Sequence, residues 1–146
     1  MREINRMRLE FPSNSSNERF ARAAVASFIA QLDPTVDELG DIKTVVSEAV
    51  TNSIVHGYPN SLGKIVLSVK LFDDNSVEIT VKDSGRGIED VEKAREPMFT
   101  TGGEDRSGMG FTIMESFTDK LKVKSKKDRG TTVIMRVKLH RRVYLR

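Results

Sequence analysis

The sequence contains no cysteine, and this absence excludes disulfide bonds, thiol catalysis and thiolate metal sites together. It has two histidines, which are too few for a convincing transition-metal centre. No apolar run approaches the ~18 residues of a membrane-spanning helix. The first residues alternate charged and apolar side chains, so they do not form the apolar core of a signal peptide. We therefore expect a cytoplasmic protein that does not bind a membrane.

The chain has 146 residues, 38% hydrophobic and 31% charged, which is typical of one soluble globular domain spanning residues 1–146. Residues 119–146 hold 11 Lys and Arg against 2 Asp, a net charge of +9, which leaves −6 elsewhere in a total of +3. Such a basic segment can indicate nucleic-acid binding. However, the lysines of 120–126 alternate with other side chains, as in a strand with one solvent-exposed face. We therefore expect no direct nucleic-acid partner.

Hydrophobic periodicity and turn residues predict the order of secondary structure. The predicted elements are a strand at 7–12, helices at 14–32 and 35–57, strands at 64–72 and 76–82, helices at 88–95 and 108–117, and strands at 120–126 and 131–139. Because short turns join neighbouring strands, the sheet should be mixed or mostly antiparallel. We predict an α+β two-layer sandwich in which helices cover one face of the sheet.

The second predicted helix carries the clearest local signals. Thr35 and Glu38 have the spacing of a capping box, which begins a helix. One buried stripe should follow, formed by Ile42, Val45, Val46, Ala49, Val50 and Ser53. We predict that the helix ends near Gly57, since a glycine can supply a left-handed C-cap.

Two polar residues of this helix, Glu48 and Asn52, are one turn apart and therefore project to the same side, beside the apolar stripe. A carboxylate can act as a general base, and an amide oxygen can bind Mg²⁺. The same spacing also fits an ordinary pair of residues on a helix surface.

Three glycine-bearing segments complete the polar motifs. Asp83-Ser-Gly-Arg-Gly87 follows a predicted strand, so it could bring backbone and a carboxylate acceptor to a ligand, or it could be a plain turn. Ser107-Gly-Met-Gly110 begins a predicted helix, where free N–H groups favour phosphate; a flexible hinge is the alternative. This second segment matches neither the dinucleotide fingerprint nor the P-loop. Gly130-Thr-Thr132 by itself is a hairpin turn.

Taken together and in this order, the four motifs resemble the GHKL superfamily of ATP-binding domains, over a match from Glu48 to Val133. Within that superfamily the chain is most similar to the anti-sigma factor serine kinases of the sporulation sigma-F type. The phrases that carry this closer resemblance are 17–22, 31–35, 42–52, 56–58, 99–101 and 106–114. They extend well beyond the nucleotide motifs.

The resemblance implies which residues bind the adenine and the metal. Asp83 would contact the adenine amine, Gly85 and Gly87 would shape the adenine pocket, and Thr131 would assist there. Asn52 would bind Mg²⁺. The implied ligands are therefore ATP or ADP together with Mg²⁺.

The resemblance also implies a nucleotide lid over 100–106, although the segment here is about one residue shorter and richer in glycine than the familiar pattern. Arg106 would reach the γ-phosphate, where a fixed cation can stabilise the charge of the transferring group. The other nucleotide-binding residues implied in this region are Thr100, Thr101, Ser107, Gly108 and Gly110.

In catalysis, Glu48 would be the general base toward a substrate serine, and Arg22 of the first helix would contact protein partners. The implied protein is a homodimeric anti-sigma factor that binds a sigma factor and phosphorylates a STAS-type anti-anti-sigma protein on serine. Two alternatives remain: a nucleotide-dependent sigma-binding module without kinase activity, and a general-stress anti-sigma kinase with the same chemistry.

Overall fold

A computed structural model describes residues 1–96 and 110–140 of the chain. Five of the predicted site residues lie outside the described residues: Thr100, Thr101, Arg106, Ser107 and Gly108. The elements in chain order are β1 (Glu3–Pro12), α1 (Ser16–Ile29), α2 (Val36–Asn52), β2 (Lys64–Phe72), β3 (Ser76–Asp83), α3 (Val91–Ala94), α4 (Gly110–Ser116), β4 (Lys120–Lys126) and β5 (Gly130–Lys138). A 3₁₀ turn follows α1 and a π turn follows α2.

The five strands form one sheet in the order β1-β2-β3-β5-β4. Every neighbouring pair is antiparallel, as expected when short turns connect consecutive strands. The register places Ile65 beside Asp83 and Val81 beside Val133. The predicted α+β architecture is confirmed. The described part of the sheet contains no parallel pair, so the antiparallel form of the prediction holds.

Helices α1 and α2 pack against each other and bury one face of the sheet. The predicted stripe of α2 is confirmed, because all of its residues are at most 3% exposed. The predicted capping box is also present: the Thr35 hydroxyl accepts from the Glu38 N–H at 3.0 Å, and the Glu38 carboxylate accepts from the Thr35 N–H at 2.8 Å. Within the described ranges, no helix has the length and apolar character that a membrane span requires.

Four predicted elements differ clearly in length from the structure. Helix α1 spans Ser16–Ile29 rather than 14–32, and α2 spans Val36–Asn52 rather than 35–57, because a 3₁₀ turn and a π turn take the place of their last predicted residues. Strand β1 begins at Glu3 rather than at residue 7, because it pairs with β2 as far as Phe72 across a register shift. Helix α3 spans only Val91–Ala94 instead of 88–95. Its predicted first residue, Ile88, instead donates its N–H to the Ser125 hydroxyl of β4 at 2.7 Å.

The predicted left-handed cap at Gly57 is wrong. The residues with positive φ in the described chain do not include Gly57, and α2 passes into the π turn Ser53–Gly57 instead of stopping at a left-handed residue. A π turn widens the helix by one residue and is common at functional sites. Here it brings Ser53 and Gly57 to the end of β3.

Candidate functional site

Asp83 is the centre of a hydrogen-bonded cluster at the end of β3. This cluster, the Asp83 node, consists of Asp83 and its three donors Ser53, Gly85 and Thr131. The Asp83 side chain is 3% exposed, and both of its oxygens are bonded to the protein. The Ser53 hydroxyl donates to Oδ2 at 2.7 Å, while the backbone N–H groups of Gly85 and Thr131 donate to Oδ1 at 3.0 and 3.2 Å. A carboxylate has roughly four acceptor positions. The node therefore holds the carboxylate in place and still leaves it able to accept from a ligand amine.

Two glycines allow the end of α2 to touch the loop that follows β3. A Cβ atom on Gly85 would lie 2.1 Å from the Gly57 carbonyl oxygen, which no real side chain could tolerate. A Cβ on Gly57 would lie 3.1 Å from the Asp83 carboxyl group. The contact is closed by the Arg86 N–H, which donates to the Gly57 carbonyl at 2.7 Å. A glycine is therefore required at position 85, where two protein backbones meet, and a side chain at position 57 would press on the Asp83 carboxyl group.

A second pair of glycines joins the same loop to the β4–β5 hairpin. Gly87 has φ of +74°, and a Cβ there would lie 2.0 Å from the Lys126 carbonyl oxygen. Gly130 has φ of +99°, and its Cβ would lie 2.1 Å from the Asp83 carbonyl oxygen. Both glycines thus adopt a left-handed backbone and a close approach that a side chain would prevent.

Tyr58 links the π turn to the two strands that flank the node. Its hydroxyl donates to the Lys64 carbonyl at 2.7 Å and accepts from the Ser84 N–H at 2.7 Å. Its ring packs against Gly63, where a Cβ would lie 2.1 Å from a ring carbon. Burial raises the pKa of Tyr58, and the negative charge of Asp83 raises it further against the opposing Ser84 hydrogen bond. The hydroxyl therefore stays protonated and keeps donating to Lys64.

Glu48 and Asn52 lie on α2 beside its buried stripe, and both are half-buried, as their one-turn spacing predicts. Asn52 is the last residue of α2 and directly precedes Ser53, whose hydroxyl holds Asp83. Asn52, the candidate metal ligand, is therefore the direct sequence neighbour of a residue of the Asp83 node. Glu48 lies one turn earlier on the same helix.

Arg22 of α1 is connected to the helix that carries Glu48. Its Nε lies 3.9 Å from a Glu18 carboxylate oxygen, and its side chain is 39% exposed. Glu18 in turn accepts a short hydrogen bond from the hydroxyl of Ser47, the residue before Glu48. Arg22 is thus accessible from solvent and is held on the side of α1 that packs against α2.

The remaining described site residues are Thr131, which belongs to the node, and Gly110, which begins α4. Thr131 is 6% exposed, and its hydroxyl is 2.8 Å from the Ser125 hydroxyl while its N–H binds Asp83. Gly110 is the first residue of α4, a helix that buries Phe111 and Met114 and packs against α2. The structure thus brings Asp83, Gly85 and Thr131 into direct contact, and α2 connects Asn52 and Glu48 to them.

The described residues fit a magnesium ion that arrives with a nucleotide better than a metal held by protein alone. Across residues 1–96 and 110–140, no three His, Cys, Asp or Glu residues cluster as metal ligands. Mg²⁺ usually keeps several waters and combines one or two protein oxygens with substrate phosphates. The Asn52 amide supplies a suitable oxygen at the end of α2, one residue from the Asp83 node.

Sequence reasoning placed Ser53 in the buried stripe but missed its partner, and it missed Tyr58, Glu18 and Ser47 altogether. A signal for Ser53 was present, because a lone hydroxyl in an apolar stripe needs a buried hydrogen-bond partner. The hydrogen bonds that link Ser47 to Glu18 and Ser84 to Tyr58 join residues 29 and 26 positions apart, and no local pattern identifies them.

The chain matches the model of the histidine kinase-like ATPase domain over residues 11–137. It is 56% identical over 137 residues to the anti-sigma F factor of Clostridium perfringens, covering 93% of this chain and 98% of that protein. It is also 56% identical over 133 residues to the anti-sigma F factor of Geobacillus kaustophilus, covering 90% and 91% of the two chains.

Two solved structures share the fold at low sequence identity. One contains the RsbU and RsbW domains of a Mycobacterium tuberculosis protein: the TM-score is 0.68 at 21% identity, over 93% of this chain and 32% of that one. The other is the histidine kinase domain of a blue-light activated kinase from Erythrobacter litoralis, with a TM-score of 0.57 at 22% identity over 81% and 59% of the chains.

Proposed function

This chain belongs to the histidine kinase-like ATPase family, and within it to the group that contains the anti-sigma F factors; on that premise we propose that it is an anti-sigma factor and an ATP- and Mg²⁺-dependent protein serine kinase. The observation that carries the proposal is its 56% identity to an anti-sigma F factor over nearly the full length of both chains. Identity at that level and coverage makes the same partner class the simplest assignment.

The nucleotide part of the proposal is supported by the Asp83 node. A buried carboxylate with three protein donors and spare acceptor capacity suits the exocyclic amine of adenine. Gly85, Gly87 and Thr131 shape the surroundings of that carboxylate, and Asn52 binds Mg²⁺ that accompanies the phosphates of ATP or ADP. The phosphates are held by Gly110 at the start of α4 and by the residues outside the described ranges that the sequence motif assigns, Thr100, Thr101, Ser107 and Gly108.

Phosphoryl transfer uses Glu48 as general base. Its carboxylate accepts the proton of the substrate serine hydroxyl while the serine oxygen bonds to the γ-phosphorus, and the bond to the β–γ bridging oxygen breaks to release ADP. Arg106 stabilises the charge on the transferring group. Mg²⁺, when bound, neutralises charge on the phosphates. The position of Glu48 one turn before Asn52 supports this role, because it keeps base and metal ligand on one side of α2.

The proposed partners are a sigma factor, held in an ATP-dependent manner, and a STAS-type anti-anti-sigma protein, which is the kinase substrate. Arg22 contacts both, and its half-exposed side chain beside the α2 helix supports a surface shared by binding and catalysis. The chain acts as a homodimer in the cytoplasm, as its resemblance to anti-sigma kinases implies. Direct nucleic-acid binding is not part of the proposal.

The deciding experiment incubates a candidate anti-anti-sigma protein with this chain and Mg·ATP and follows its mass. One added phosphate on a serine is expected with the unaltered chain. Glu48→Gln removes the base and little volume, so it should retain ATP binding by titration calorimetry and lose transfer. Glu10→Gln, which removes an exposed carboxylate of β1 paired with Arg8, is the matched control and should phosphorylate normally. Equal transfer by the Glu48 variant would refute its role as base.

If ATP and partner binding are intact but no phosphate is added even by the unaltered chain, the protein is a nucleotide-dependent sigma-binding module. If transfer occurs only with an anti-anti-sigma protein of the general stress response, the chemistry stands and the partner changes. The sigma factor itself is tested by ATP-dependent co-elution on size-exclusion chromatography.

A further inference from the structure

We propose that Ser53 is a positioning residue that orients Asp83 and so sets the preference of the site for a purine with an amine rather than a carbonyl at C6. The proposal rests on the nucleotide site argued above. It concerns a side chain that does not itself contact the base, but fixes the one that does.

Ser53 is in a place where a hydroxyl has no packing role. It is 3% exposed and continues the buried stripe of α2, whose other members are apolar. A hydroxyl buried among apolar groups costs free energy unless it is hydrogen-bonded. Its partner is Asp83 Oδ2 at 2.7 Å, 30 residues away in sequence. The presence of a serine at this position is therefore explained by its hydrogen bond to the Asp83 carboxylate and not by the packing of α2.

The two oxygens of Asp83 are held differently. Oδ1 accepts from two backbone N–H groups, those of Gly85 and Thr131, and these would survive any side-chain substitution at position 53. Oδ2 accepts from Ser53 alone among the described residues. Without the Ser53 hydroxyl, Oδ2 would lose its only partner among the described residues. The plane of the Asp83 carboxylate would then no longer be fixed.

The plane of the carboxylate decides which bases fit. An oriented Oδ2 accepts from an amine on the base, as in adenine. A carbonyl at the same position, as in hypoxanthine or guanine, would bring oxygen lone pairs against a carboxylate and be repelled. A site built to bond one group rejects an analogue that lacks it, because buried polar groups are then left unpaired. Removing the Ser53 hydroxyl should therefore weaken the binding of a base with an amine at this position more than that of a base with a carbonyl there.

The test measures the dissociation constants of ATP and of ITP, which carries a carbonyl in place of the amine, for the full chain by titration calorimetry. Ser53→Ala should weaken ATP by about tenfold and leave ITP within about twofold, so that the ATP preference falls by nearly the same factor. Ser53→Cys, with a weaker donor of similar size, should give an intermediate preference. It also keeps the test valid if the alanine variant does not fold.

Ser76→Ala is the matched control. Ser76 is also 3% exposed and also donates to an aspartate, but at the opposite end of β3. It should leave the ATP preference unchanged. A Ser53 variant that weakens ATP and ITP by the same factor, or neither, would overturn the positioning role while the nucleotide site stands. Failure of the unaltered chain to bind ATP would overturn the nucleotide site, and the proposal with it.

Discussion

Two serine–aspartate pairs lie at opposite ends of β3. They consist of the same residue types but differ in the burial of the aspartate and in the sequence distance of its donors. At the first end, Ser76 donates both its hydroxyl, at 2.5 Å, and its N–H, at 3.0 Å, to Asp74 two residues earlier. At the second end, Asp83 receives donors from Ser53, Gly85 and Thr131, which belong to three separate segments. The first pair closes a turn; the second pair exists only when the whole fold is assembled.

The difference between the ends is one of burial and of sequence distance. Asp74 is exposed, so water can replace its partners at little cost. Asp83 is 3% exposed, so a lost partner there leaves a buried polar group unsatisfied. The same residue types therefore build a turn at one end and a candidate binding site at the other. The difference should appear in both ligand affinity and stability.

The largest expected effect is that of Asp83→Asn against Asp74→Asn. An amide at position 83 would direct an N–H₂ group at one of the donors that now bond to the carboxylate. ATP binding should weaken by more than about 1 kcal/mol, and the free energy of unfolding should fall by about 1–3 kcal/mol. Asp74→Asn should leave ATP binding unchanged. Titration calorimetry and urea denaturation measure both, and wild-type ATP affinity in the Asp83 variant would refute its assignment to adenine.

The next prediction compares substitutions of two glycines: Gly85, at the Asp83 end of β3, and Gly40, in α2. Gly85→Ala would place a methyl group 2.1 Å from the Gly57 carbonyl, so the loop and the π turn must separate. We expect the free energy of unfolding to fall by about 1–3 kcal/mol, the range of other steric changes in packed regions. Gly40→Ala in α2 meets nothing within 4 Å and should instead stabilise the helix by about 1 kcal/mol.

Thermal unfolding of the two alanine variants gives the answer. The melting temperature should fall for Gly85→Ala and rise for Gly40→Ala. A neutral Gly85→Ala would mean that the contact between the π turn and the loop after β3 is dispensable. The Asp83 node would then have to be held by its hydrogen bonds alone.

The contrast between the two ends also explains how much of the molecule could be predicted from its sequence. The Thr35–Glu38 capping box and the α2 stripe are local and periodic, and the structure confirms both. The turn at Asp74 is local too, and was expected between the strands. The π turn, the Gly57–Gly85 contact and the Tyr58 bridge depend on residues brought together from distant segments. No spacing rule reports such contacts, and for this reason the sequence wrongly predicts a left-handed C-cap at Gly57.

The smallest expected effect is a pH dependence at the Asp74 end. The Ser76 hydroxyl is the main cause that lowers the pKa of Asp74; partial desolvation opposes it, and the Ser76 N–H and nearby positive charge lower the pKa further. Because the folded pKa lies below the unfolded value of about 3.9, the stabilisation is present above that value. It is lost as pH falls through the lower folded pKa.

Ser76→Ala should therefore reduce stability at neutral pH and reduce it less at low pH, because the unaltered chain loses the contribution as pH falls from the unfolded pKa of Asp74 through its lower folded pKa. Urea denaturation at about pH 7 and about pH 3 tests this. The pKa of Glu38 is also lowered: burial raises it, but hydrogen bonds from Thr35 and His140 outweigh burial. The acid sensitivity that Glu38 contributes should remain in the Ser76 variant. An equal loss at both pH values would show that the Ser76 hydroxyl does not act through the charge of Asp74.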